Sequence, residues 1–248
     1  MKYIRLRDLE TVVSEKVDIP KLMTEAYGFK KKGLLRSVRF TKCFYKVFAD
    51  VNEVRSIDIS KVELKPCGIN VPTNIERIPY ASMIHLQMLL KNENTTPLSE
   101  LVAKVVSTVC FSSNVKQPFD TESIYFNWFT QKVLSQPIVE MFGIYNWICK
   151  SVIESDKKWD ERFFSVRVDD EDYLLADNGR MAQFNVINTI KKSCQDFNVT
   201  EKDAWQLPFI MVQTNNYEGA SRAFTQHQMS RLKEAKMKAE RDRQNANL

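Results

Sequence analysis

Val199-Thr200-Glu201-Lys202-Asp203-Ala204-Trp205-Gln206-Leu207-Pro208-Phe209 reads as one helix that starts, stops and gives way to another. Thr200 followed three residues later by Asp203 resembles a capping box, with Asp in place of the usual Glu or Gln. Pro208 has no amide to donate to Ala204, so a continuous helix must kink or break there. Trp205 and Phe209 then stand at a corner. Aromatics at such a corner either lock two helices of one core or anchor a partner, and both readings stand at this point.

Downstream the pattern thins. Tyr217, Phe224, Leu232, Ala235 and Ala239 make a narrow apolar stripe in an otherwise charged helix. From residue 225 onward six Lys or Arg face three acidic residues, so this short tail carries three of the five net positive charges. A helix with so little apolar surface projects, lies loosely on the body, or orders on binding. Its excess charge is small for a nucleic-acid footprint and suits a solvated helix better.

Upstream, residues 178–197 read as a helix with Met181, Phe184, Ile187 and Ile190 on one face. Residues 138–153 are apolar nearly all round and are expected to be the central buried helix. Residues 159–175 alternate in part, through Phe164, Val166 and Val168, and suggest a late strand pair. Asp120 is expected to cap a helix bearing Ile124, Phe126, Trp128 and Phe129 that ends before Pro137. Thr96-Pro97-Leu98-Ser99-Glu100 reads as a threonine cap with proline in the first turn, opening a stripe of Leu98, Leu101, Val102, Val105, Val106 and Val109. Residues 80–91 carry Met83, Leu86 and Leu90 at helical spacing after Pro79.

The first third has a different character. Residues 37–48 and 54–65 are rich in β-branched and aromatic side chains and alternate in part, with a turn at 49–52. A short helix over 20–29 precedes them, and Pro66, Pro72 and Pro79 punctuate an irregular crossing after them. The expected fold is therefore α+β: a strand-rich region at 1–75, a mainly helical body at 76–220, and a basic, projecting polar helix at 221–248.

Several function classes find no support. Asp169-Asp170-Glu171-Asp172 places its carboxylates consecutively, whereas a calcium loop needs alternate positions and a turning glycine. The two histidines, His85 and His227, lie far apart, and no nucleophile elbow or phosphate-cradling glycine loop is present. No catalytic residue, metal or cofactor is expected. No apolar run reaches the ~20 residues that span a bilayer. Five scattered cysteines without a C-x-x-C pair fit reduced thiols, and the chain reads as cytosolic.

The order of parts resembles the tail and baseplate assembly chaperones of contractile-tailed bacteriophages, in particular the T4-type baseplate hub assembly proteins. The resemblance rests on the strand-rich N-terminal third, on Glu76-Arg77-Ile78-Pro79-Tyr80-Ala81-Ser82-Met83-Ile84-His85-Leu86-Gln87-Met88-Leu89 as the start of the helical part, and on the corner at residues 201–209 before a polar helix. It implies a non-enzymatic late protein of the host cytoplasm that binds unassembled tail or baseplate subunits and need not remain in the virion. Trp205, Phe209, Tyr217 and Phe224 are the partner-binding residues expected under it, with tail Lys and Arg speeding encounter with acidic partners. A permanent structural component of a particle, and a nucleic-acid-associated factor using the basic tail, are the other readings of the same features.

Overall fold

The computed structural model describes residues 5–8, 58, 61–64, 67–91, 96–167 and 185–246. Among them 77% are helical and none forms a strand, so the chain is mainly helical and the α+β expectation is corrected. Residues 37–48, 20–29 and most of 54–65 lie outside the described residues, and the described remainder of the first third holds short 3-10 turns, Leu6–Asp8 and Ile75–Arg77. The late strand pair fails within the described residues, because 159–164 continue a helix. Two or three alternating positions do not outweigh the i,i+4 pairs that this helix forms there, Trp159 with Phe163 and Lys157 with Glu161. Residues 168–175, with the acidic cluster, lie outside the described residues.

We label the helices α1 (Tyr80–Lys91), α2 (Leu98–Asn114), α3 (Ile124–Leu134), α4 (Ile138–Phe164), α5 (Asn185–Phe197), α6 (Glu201–Gln206) and α7 (Phe209–Ala246). Four of them begin directly after a proline. The carbonyls of Pro79, Pro97, Pro137 and Pro208 accept from the amides of Met83, Leu101, Met141 and Val212 at 3.1, 2.9, 3.2 and 3.3 Å. Proline suits this place because the amide it lacks would have no partner within the helix. The residue before it is driven to extended geometry, as at Ile78 (ψ 159°) and Leu207 (ψ 144°).

Two sequence-derived caps shift by a few residues. Pro97, not Thr96, is the cap of α2. Ser123, not Asp120, caps α3, its hydroxyl accepting from Phe126 N at 3.2 Å. Asp120 serves one turn earlier, its carboxylate accepting from Glu122 N.

The chain divides into two compact units, residues 1–153 and 154–248, with the boundary inside α4. In the first unit α2 is the central helix, with eleven of its residues buried. This corrects the expectation for residues 138–153, where Tyr145 and Trp147 are half-buried and Ile153 is exposed. Leu98, at the start of the α2 stripe, is also exposed. Small Ser99, Ala103 and Ser107 alternate with Val and Leu on α2, so helices can approach from several sides. α1, α3 and the Leu6–Asp8 turn all pack on it. Phe111 lies at the centre of an aromatic cluster, with ring centroids 6.1 Å from Phe119, 5.7 Å from Phe126 and 6.1 Å from Phe129. At the end of α2 the Asn114 side chain pairs with the backbone of Asn70, accepting from its amide at 3.0 Å and donating to its carbonyl at 2.8 Å.

The second unit is built on α5, α6, α7 and the end of α4. Trp159, Ile190, Ala204, Phe209 and Val212 form its core. α5 packs against both α6 and α7.

Candidate partner-docking surface

The corner at 198–209 is assembled from local signals. Asn198 adopts a left-handed backbone (φ 50°), and Val199 N donates to Cys194 O at 3.2 Å, the six-residue closure that ends a helix. Thr200 then caps α6: its hydroxyl accepts from Asp203 N at 3.3 Å and donates to the Asp203 carboxylate at 2.6 Å. Threonine and aspartate thus hold each other in place of the reciprocal backbone bond of a full capping box. Leu207 is extended before Pro208, so the helix stops and restarts rather than bending.

The four expected partner-binding residues occupy different depths. Phe209, first residue of α7, is 2% exposed and belongs to the core. Trp205, on the far side of the Pro208 break, is half-buried, as are Tyr217 and Phe224. Tyr217 and Phe224 share a face of α7 two turns apart. The Tyr217 ring meets the edge of Phe163 at 5.9 Å and 81°. Phe209 supports the surface from beneath, while the other three reach it.

An open groove of about 280 Å³ lies beside the corner, lined by Phe197 of α5 and by Ile210, Met211, Thr214, Asn215 and Glu218 of α7. Its lining joins apolar Phe197, Ile210 and Met211 to polar Thr214, Asn215 and Glu218. The wall is held by Asn215, whose amide donates to the Asp196 carboxylate at 2.8 Å, and by Asn216, which donates to the Thr189 hydroxyl at 3.3 Å. Lys192 donates to the Asn215 carbonyl at 2.9 Å, passing over Gly219, where a β-carbon would collide with its ammonium. Sequence reading missed this groove because its lining comes from two helices. The run Phe209-Ile210-Met211 was the available signal, since a helix that is apolar on adjacent positions has more than one face to cover.

Along α7 the inward stripe runs through Phe209, Val212, Asn216, Ala220, Phe224 and His227, all buried or half-buried. From there every residue through 242 is exposed, with Met229 at 54% and Leu232 at 62%. The cause is compositional: the positions that continue the stripe are Arg231, Glu234 and Lys238. A second exposed apolar patch lies on α3 of the first unit, where Ile124 and Trp128 are 75% and 59% exposed beside Tyr125. The Lys132 ammonium lies 5.9 Å from the Trp128 ring centroid.

In the first unit Cys110 is buried and His85 and Cys67 are half-buried. His85 packs against Phe119 and Phe126, with centroids 6.1 and 6.4 Å away, and burial followed by nearby Lys104 lowers its pKa. Burial pushes the Cys110 and Cys67 thiols up, away from thiolate chemistry. Among the described residues no group of three His, Cys, Asp or Glu is placed to hold a metal ion. None of the described helices is long and apolar enough to cross a membrane.

The sequence matches no protein-family model, no curated protein and no solved structure.

Proposed function

We propose that the chain is a non-enzymatic assembly chaperone that binds unassembled protein subunits through the Pro208 corner and α7. The observation that carries this reading is α7 itself, which is exposed from residue 228 through 242 directly after a half lined by an open apolar groove. A long helix with one covered half and one uncovered half suits a helix-in-groove or masking contact. The resemblance to baseplate hub assembly proteins supplies the partner class: tail or baseplate subunits of a contractile-tailed phage, met in the host cytoplasm. In this reading the chaperone covers apolar surface on a subunit until the correct neighbour replaces it. Trp205, Tyr217 and Phe224 make the contact, and the basic tail speeds encounter with acidic surfaces.

Affinity purification of the tagged chain from its producing cells, with mass spectrometry of co-purifying proteins and tracking of the tag into finished particles, tests the proposal. Recovery with free tail or baseplate subunits, and absence from particles, is the expected result. Retention in particles would make the chain a permanent structural component, and the absence of any stable protein partner would overturn both roles.

A further inference from the structure

The outward face of α7 is continuous over its length. Met211, Glu218, Thr225, Leu232 and Ala239 recur every seven residues, and Asn215, Arg222, Met229 and Lys236 interleave with them. At helical periodicity these two rows form one seam, turned away from the inward stripe of Phe209, Val212, Asn216, Ala220 and His227. The first half of the seam lines the groove, through Met211, Asn215 and Glu218. The second half presents Met229 and Leu232 to solvent.

We propose that two copies of this chain pair antiparallel along α7, so that the exposed second half of each helix fills the groove on the first half of the other. Charge selects this occupant and this direction. The groove is bordered by the carboxylates of Asp196 and Glu218, while the second half of the seam is bordered by Lys233 and Lys236. Parallel pairing would set Glu218 against Glu218 and lysine against lysine. Antiparallel pairing about Thr225 brings Leu232 opposite Glu218, Lys233 opposite Tyr217 and Lys236 opposite Thr214, so that both lysines lie within about four residues of Glu218. Among the described residues Glu218 holds an exposed pair with Arg222 at 3.7 Å, which exchanges at little cost. The contact uses the same patch on both copies and therefore closes at two. It also gives the second half of α7 packing that, among the described residues, its own chain does not supply.

This pairing occupies the groove and the exposed half of α7 on which the chaperone reading also rests, whereas Trp205, Tyr217 and Phe224 lie outside the two rows of the seam, so pairing and subunit capture are measured separately. Sedimentation equilibrium of the full chain, a 28.9 kDa monomer, tests it. At about 50 μM the expected mass is that of a dimer, and Leu232→Glu, Glu218→Lys, or Lys233→Glu with Lys236→Glu each raise the dimer dissociation constant about tenfold or more. Combining Glu218→Lys with the two lysine reversals restores pairing. These side chains are exposed, so circular dichroism should show each variant folded. Zero-length carbodiimide coupling should join Glu218 of one copy to Lys233 or Lys236 of the other. A chain that stays monomeric, a dimer indifferent to these substitutions, or coupling only between tails would overturn the proposal. A monomer that still captures subunits would overturn the pairing alone, and a dimer that captures none would overturn the chaperone reading alone.

Discussion

The carbonyl oxygen of Glu63 lies 2.5 Å from the point where a β-carbon would stand on Gly143. Glycine at this place on α4 lets the 61–64 segment lie against the helix, and Asn146 one turn on donates to the Val62 carbonyl at 3.0 Å. The obstacle to a larger residue is backbone, with the Leu64 α-carbon at 3.3 Å, so no side-chain rotation relieves it. In an open helix Gly→Ala would stabilise by about 1 kcal/mol. Here Gly143→Ala is expected to destabilise by about 1–3 kcal/mol, as overpacking does. Urea denaturation decides the sign, and a more stable variant would mean that the segment does not rest on α4. Asn146→Ala is expected to cost about 1 kcal/mol and to add less than its full effect once Gly143→Ala has lifted the segment.

Thr200 and Asp203 make a second local prediction. Thr200→Ala removes both the cap on Asp203 N and the hydroxyl donated to its carboxylate, and is expected to cost about 1 kcal/mol. Thr200→Ser keeps both groups and should stay close to the parent. Equal losses in the two variants, read from urea midpoints, would show that the threonine methyl and not the cap matters.

These local features were readable because their causes are local. A proline fixes its own φ and the geometry of its predecessor, so the starts after Pro79, Pro97, Pro137 and Pro208 follow from a few residues. The cap at Thr200 was legible for the same reason, whereas Asp120 was displaced by Ser123, a neighbour able to do the same work, and Thr96 by Pro97, which takes the cap position without a side-chain hydrogen bond. Exposure was not legible. Ile124 and Trp128 are apolar and helical, yet nothing in their spacing says whether another element covers them. The α2 helix took the centre of its unit because small residues on it admit neighbours, a property of how helices approach one another. The groove needed α5 and α7 together, which no single window of sequence contains.

Trp205 and Phe209 are expected to separate binding from stability. Phe209 is fully enclosed at the start of α7, so Phe209→Ala should cost about 3–5 kcal/mol and unfold much of the second unit. Trp205 is only half-buried, and Trp205→Ala should lower subunit capture more than it lowers the melting temperature. Capture assays and thermal melts on the two variants test the contrast. A large loss of stability in Trp205→Ala, with unchanged capture by the folded fraction, would place the indole in the core and remove it from the docking surface.

His85 ties the stability of the first unit to pH. Its ring lies against Phe119 and Phe126, and burial, then Lys104, holds its pKa below the ordinary 6.5. A depressed histidine pKa means that the unfolded chain binds the proton more readily than the folded one. Its contribution to stability is therefore fully present above 6.5 and is lost as pH falls below that value towards the folded pKa. Urea midpoints should drop between about pH 7.5 and pH 5.5, and His85→Phe, which keeps an aromatic ring in the cluster without a titrating group, should flatten that drop. The variant and the parent showing the same slope across this window would assign the dependence to other groups and leave His85 as a packing residue alone.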